Sequence, residues 1–508
     1  MSGATPVEQL ESETASPRST VLRDRSVLFV LIALFVALTV KQIDIHPQLG
    51  VDEIYYFDYA LKSPSLGIRI GEQVGTEAMT VAACRGIEIW PGALIPECGD
   101  PRPDPNQLWQ DGYNVTFQHP PAYFSITAIG GEVMGWLPGV DNKLTAYRLV
   151  GVVWLAAGMV LLWYALGLAK LPTVGKAAVV ALLGAPPMAV YTAASVHAGN
   201  TQLAGGALLL VALLLWESGR WRWWAVPAAA AVAVWLNFNN AAAVGALVAY
   251  LAYKAWRDRG RNHDLVRTAA SSFTVAVVSV IGWQAWQNHR KLADVDDLPV
   301  HQVTLGQGGF HWQQIDDELR AVFTPFRNQW IQTWDVLTSL TGVADIGLIV
   351  LMGTTLAVTA NKSTFRYFTA GVVTAMVGFG IVTMVSTYAA GYNYFQLTPA
   401  RYGLALLPFA GVAIVPALRR FTLARVCTVL LAAATCAAIA YGVFASSAAI
   451  RNADITEALR RAQREQQIEA QQQTISEQQQ QLDEKESQLN QYRCQLGADL
   501  DQVPEGCE

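Results

Sequence analysis

The sequence predicts an all-α integral membrane protein of about eleven transmembrane helices, with juxtamembrane helices outside the membrane and a C-terminal extracytoplasmic helix or coiled coil. Three observations predict it. The chain of 508 residues is 52% hydrophobic and only 15% charged, whereas a soluble domain carries about 25% charged residues. Apolar runs near twenty residues recur, such as AYRLVGVVWLAAGMVLLWYALGLA and VCTVLLAAATCAAIAYGVFA, each long enough to cross roughly 30 Å of hydrocarbon. Basic residues gather between these runs, and the layout of Lys and Arg, more than the net charge of −5, sets orientation. No nucleic-acid partner is expected.

Residues 1–25 are polar and predict a disordered cytoplasmic tail. The stretch is too long and too acidic for the n-region of a signal peptide. Residues 26–44 then read as a retained first span, with Arg18, Arg23 and Arg25 holding the tail inside. Five further basic clusters mark cytoplasmic ends: Lys170 with Lys176, Arg220 with Arg222, the run 254–267, Lys362 with Arg366, and Arg419, Arg420 and Arg425. Spans are therefore expected at 146–169, 174–194, 197–216, 223–237, 240–256, 265–286, 336–358, 365–388, 401–418 and 424–446. The segment 119–138 breaks this alternation if it crosses. It is short, bounded by prolines and interrupted by three glycines and Glu132, so it reads as a juxtamembrane or re-entrant helix.

That count puts the N-terminus inside and the C-terminus outside, in a bacterial plasma membrane. The membrane domain runs over 26–446, with external loops at 45–145 and 287–335. Cys84 and Cys98 fall in the first loop and Cys494 and Cys507 near the C-terminus, two candidate disulfides on an oxidising face. Cys427 and Cys436 lie in an apolar span and read as buried small residues. In the tail, 452–508, Ile468, Ile475, Leu482, Leu489 and Leu496 repeat every seventh residue on a Gln/Glu-rich background. This is a helix with a thin seam, either a solvated spacer or a handle for self-association or for another envelope protein.

The residues suited to chemistry begin with HPQLGVDEIYYFDYALKSP, 46–64, where Asp52, Glu53 and Asp58 sit among tyrosines just past the first span. Ile54, Phe57 and Leu61 recur at the spacing of an amphipathic helix lying on a membrane. The acids either favour the start of that helix or act at headgroup depth. A carboxylate there is placed as a general base, a role typically worth about 10²–10⁴-fold in rate.

The segments VDEIYYFDYA, QHPPAYFSITAIGG and AYRLVG, in that order, resemble the C-type membrane glycosyltransferase superfamily (GT-C), with a pattern similar to that of the protein O-mannosyltransferases. The resemblance implies a polyprenyl-phosphate sugar donor and inverting transfer on the outer face. By the motif match it makes Asp52 the base, with Glu53 orienting the acceptor or an ion. Arg148 and Arg401 are then candidates for the donor phosphate, because the guanidinium fork matches phosphate oxygens. His119, Tyr56 and Asn200 complete the expected substrate site. Each arginine reads equally as a topology residue, and the polar groups His197, Asn200, Asn237, Asn239 and Asn240 read equally as interhelical glue.

A divalent cation, Mg²⁺ or Ca²⁺, would call on carboxylates of the second loop such as Asp294, Asp296 and Asp316. Their spacing matches no metal motif, so no cofactor is assigned. NVT at 114–116 matches a glycosylation sequon, relevant only in a eukaryotic chain. The expected partners are a polyprenyl-phosphate-linked sugar and membrane lipids. The sugar, mannose or arabinose, stays open, as does the acceptor: cell-wall polysaccharide, glycolipid or protein. A lipid-linked-glycan transporter or flippase and a non-catalytic envelope scaffold remain as alternatives.

Overall fold

The computed structural model describes residues 17–45, 53–63, 67–85, 98, 104–184, 187–259, 262–292, 335–359, 363–389, 400–443, 475–476, 478–490 and 492. Among them the chain is helical, and its only β pairing is an isolated antiparallel bridge between Gln73 and Tyr113. In the membrane unit, Met1–Ser446, the helices are α1 Pro17–Ile45, α2 Glu53–Lys62, α3 Thr76–Arg85, α4 Ala122–Met134, α5 Lys143–Leu168, α6 Thr173–Gly184, α7 Pro187–Ala193 and α8 Thr201–Glu217. They continue with α9 Ala225–Leu236, α10 Ala241–Arg257, α11 His263–His289, α12 Asp335–Val358, α13 Thr364–Ala389, α14 Leu407–Ala413, α15 Val415–Arg420 and α16 Thr422–Val443.

Among the described residues, seven helical segments are long and apolar enough to cross a membrane: Leu22–Asp44, Lys143–Leu168, Ala198–Glu217, His263–His289, Thr364–Val382, Gly403–Arg420 and Thr422–Val443. Thr173–Gly184, Ala225–Leu236 and Gly342–Val358 are shorter apolar helices. The expected span 174–194 is helical at both ends, as α6 and α7, and the second helix opens on Pro187. A proline is tolerated there because the first residues of a helix have no intrahelical partner for their N–H groups.

Contacts between helix ends sort the bundle into two ends. At the first, Asp24 of α1 accepts hydrogen bonds from Thr173 and Lys176 of α6. At the same end Glu217 of α8 accepts from Tyr250 at 2.5 Å and Lys254 at 2.6 Å, both on α10. Arg267 of α11 stacks on Trp223 at 3.7 Å, and Arg257 of α10 on Tyr367 at 5.6 Å. We call this the basic end. At the opposite end α11 is tied to the first loop: the Trp283 indole donates to the Phe117 carbonyl at 3.0 Å and the Gln287 amide to the Ile68 carbonyl at 2.9 Å.

The first loop has a hydrophobic core of its own, distinct from that of the helix bundle. Ile54, Tyr55, Phe57 and Tyr59 of α2 pack with Ala78, Met79 and Ala82 of α3, Tyr123 and Phe124 of α4, and Leu144 and Tyr147 of α5. This corrects the reading of α2 as a helix lying on the membrane surface. Glu53 through Ala60 are all buried, so α2 has no lipid face and is a core element. Its tyrosines supply both apolar area and hydroxyls for hydrogen bonds.

The surface helix is α4 instead. Tyr123, Phe124, Thr127, Ala128 and Gly131 are buried, while Ile126, Ile129 and Val133 are exposed. Such a two-faced helix suits an interfacial position. Its glycines do not interrupt it. A Cβ at Gly130 would stand 2.9 Å from Val150, and one at Gly131 would enter the Tyr147 ring. The pair lets α4 lie directly on α5.

Two pins hold the loop. Cys84 at the end of α3 is disulfide-bonded to Cys98, and Arg85 donates to the Ile43 carbonyl at 2.9 Å, satisfying an orphan carbonyl at the C-terminus of α1. The second unit, Ser447–Glu508, is described by itself. Residues 478–490 are helical, and Ile475, Leu482 and Leu489 of the heptad seam are exposed. Cys494, Cys507 and the acids between 294 and 317 lie outside the described residues.

Candidate functional site

Opposite the basic end, residues far apart in sequence converge around the start of α2. Glu53 is buried and accepts from Nε of Arg148 at 2.8 Å and from Nη2 at 2.6 Å. This is a two-point guanidinium–carboxylate pair, the strong and directional kind. The backbone N–H of Val196 adds a third donor at 2.9 Å. One carboxylate thus ties the first loop to α5 and to the α7–α8 junction.

That junction is built by a local device. His197 is extended, and its Nδ1 accepts from the Gly199 N–H at 2.8 Å, opening a short 3₁₀ turn, Ala198–Asn200, ahead of α8. The same device recurs before α10, where Asn237 accepts from the Asn239 N–H at 2.9 Å and heads the turn Phe238–Asn240. An Asn ends each turn and folds back on a carbonyl: Asn200 on Ser195 at 3.0 Å, Asn240 on Ala233 at 2.7 Å. Among the described residues, Oδ1 of Asn200 and Oδ1 of Asn240 are buried without a hydrogen-bond partner. The turn Ala400–Leu406 packs beside both junctions.

Aromatic and imidazole rings link the junction to α2 and α4. The Tyr56 ring lies 4.5 Å from that of His197 and 5.5 Å from that of His119, and its hydroxyl is 3.2 Å from His119 Nε2. The Tyr59 hydroxyl donates to the His119 carbonyl at 3.1 Å. Tyr123 accepts at its hydroxyl from the His197 N–H at 3.0 Å and from the Asn200 amide at 3.1 Å. Burial pushes the Tyr123 phenol well above its ordinary value, so at neutral pH it works as a protonated hydrogen-bonding group.

The structure therefore brings Glu53, Tyr56, His119, Arg148 and Asn200 into one network. Arg148 faces Glu53 and is fully buried; here it braces a carboxylate and presents no open face to a phosphate. Arg401 lies in the turn beside the two junctions, and its side chain is outside the described residues, as is Asp52. Tyr123 and Asp58 carry roles that the sequence did not announce. Asp58 is buried and accepts from the Gly75 N–H, the Asn114 amide and Lys62, each at 2.8 Å. Despite those partners, burial holds its carboxyl above the usual carboxylate range. Asn114 of the sequon is itself buried, donating to Asp58 and to the Tyr55 carbonyl at 2.9 Å. It is a structural amide, closed to glycan attachment in the folded chain. Among the described residues no three His, Cys, Asp or Glu side chains cluster as metal ligands.

No protein-family model and no curated protein matches the chain. Among solved structures it is similar to the crystal structure of ArnT from Cupriavidus metallidurans bound to undecaprenyl phosphate, with 16% identity and a TM-score of 0.42. The likeness covers 80% of this chain and 61% of that one. The chain thus spans less than two thirds of that protein.

Proposed function

We propose that the protein is an integral-membrane glycosyltransferase of GT-C type. It moves a sugar from a polyprenyl-phosphate donor to an acceptor at the end of the bundle that carries Glu53, which faces outward, with N-terminus inside and C-terminus outside. The observation that carries this reading is the buried Glu53–Arg148 pair. It anchors the first residue of α2 to α5 and to the α7–α8 junction, immediately after Asp52 in the chain. A base must be held at fixed depth and direction to remove a proton in the transition state. A neighbour locked by three hydrogen bonds supplies that rigidity.

In this reading Asp52 is the general base and takes the acceptor hydroxyl's proton as the sugar leaves the lipid phosphate with inversion. Glu53 and Arg148 position it. Tyr56, His119 and Asn200 line the substrate site, and Arg401 meets the developing phosphate charge, where an aimed cation is most effective. Mannose and arabinose are the candidate sugars; polysaccharide, glycolipid and protein are the candidate acceptors.

The test is transfer of a radiolabelled sugar from a short-chain polyprenyl-phosphate donor by the purified full chain and by Asp52→Asn. Loss of at least about 100-fold in rate, with normal insertion and thermal stability, is expected. Unchanged transfer by Asp52→Asn removes the base assignment, and absence of transfer by the unaltered chain across lipid-linked mannose and arabinose returns the transporter or scaffold readings.

A further inference from the structure

At the basic end, away from the Glu53 network, α1, α6 and α16 line an open groove of about 390 Å³. Its walls are apolar: Val27 and Leu31 of α1, Ala177 and Ala181 of α6, Val429 and Ala432 of α16. Arg23 stands at its rim, with Thr173. We propose that this groove binds one acyl chain of an anionic phospholipid, whose phosphate headgroup is held by Arg23.

The lining runs along α1 from Arg23 to Leu31, roughly 12 Å at 1.5 Å per residue, with the guanidinium at one end and apolar side chains along the rest, the order of headgroup and hydrocarbon chain in a phospholipid.

Charge argues for an anionic headgroup. Asp24, the carboxylate beside Arg23, is engaged by Thr173 and Lys176. Arg23 and Arg25 are exposed and make no ion pair among the described residues. The three helices all begin at this end. α6 starts where α1 starts, as the Asp24 contacts show. α14 and α15 descend from Ala405, beside Gly206 of α8, past Leu162 and Val179, so α16 also starts here. Thr173 at the rim is the first residue of α6, whose N-terminus adds positive potential beside Arg23, and a basic residue at a membrane surface contributes about 1 kcal/mol toward anionic lipid.

The test measures lipid retained on the purified full chain in neutral detergent, by native mass spectrometry, with phosphatidylglycerol or phosphatidylcholine of identical chains added. One phosphatidylglycerol per chain is expected, retained about fivefold more strongly than phosphatidylcholine. Arg23→Glu, on an exposed site, should erase that preference, and Ala432→Phe should lower retention of both lipids by filling the groove. Equal retention of the two lipids by the unaltered chain overturns the headgroup assignment. Undiminished retention in Ala432→Phe overturns the location. Should Ala432→Phe fail to fold, Val27→Trp at the same wall is read in its place.

Discussion

Arg148 reaches across 95 residues of sequence to grip Glu53 at two points, and both side chains are withdrawn from solvent. Removing one partner strands the other's charge, which costs about 3–5 kcal/mol. Arg148→Met and Glu53→Leu should each lower the thermal unfolding midpoint sharply. Replacing both partners by apolar side chains removes the stranded charge, so Glu53→Leu with Arg148→Met should recover much of that loss while leaving transfer activity low. A double variant as unstable as the sum of the singles would show that the pair is not acting as a unit.

The contact of α4 with α5 depends on the absence of two Cβ atoms. Gly131→Ala should destabilise by about 1–3 kcal/mol through overpacking against Tyr147. Gly167, on α5 and with nothing within 4 Å of its missing Cβ, is the control. Gly167→Ala should be neutral or stabilising by about 0.5–1 kcal/mol. Equal effects of the two substitutions in thermal unfolding would mean that α4 does not lie on α5 as described.

Asp58 gives the first loop a pH signature. Its carboxyl is held above the usual range by burial, so the folded loop keeps a proton that the opened loop releases. Its contribution to stability is full below the ordinary carboxylate value, about 3.9, and is lost as pH rises through the elevated folded value. Hydrogen exchange of the Gly75 N–H, corrected for intrinsic rates, should show protection falling as pH rises from about 4. Asp58→Asn should flatten that slope. Protection rising with pH would contradict the assignment.

Reduction of the Cys84–Cys98 bond should loosen the first loop without unfolding the bundle, whose core is separate. A disulfide of this kind contributes about 2–4 kcal/mol. Faster exchange confined to α2 and α3 is expected on adding reductant. A global transition would mean that the two cores are one cooperative unit.

Much of the helical plan was legible in the sequence because its cause is local. A bilayer demands long apolar runs, and basic residues between runs mark alternate ends. Helix α2 was not legible in the same way. Ile54, Phe57 and Leu61 show a helical stripe, but a stripe says nothing about what covers the other face. The partners that bury Glu53 and Asp58 are Arg148, Val196 and Asn114, up to 143 residues away. The glycines of α4 misled for a related reason. Gly130 and Gly131 weaken an isolated helix, yet against Val150 and Tyr147 they are what closeness requires. His119, Arg148 and Asn200 were singled out by residue type and place, and their meeting with Tyr56 depended on the tertiary fold. Tyr123 gave no signal, since nothing local to it shows that its hydroxyl accepts from the α7–α8 junction.

Docking of a lipid-linked sugar donor at the end of the bundle carrying Glu53, as proposed above, is tested most directly by photo-crosslinking. A polyprenyl-phosphate analogue with a photoreactive group next to the phosphate is bound to the full chain in lipid nanodiscs, and the labelled peptides are sequenced. Labelling within α2, the His119 turn and the α7–α8 junction, competed by unlabelled donor, is expected. Competable labelling confined to the basic end, or none at all, would contradict the proposed docking.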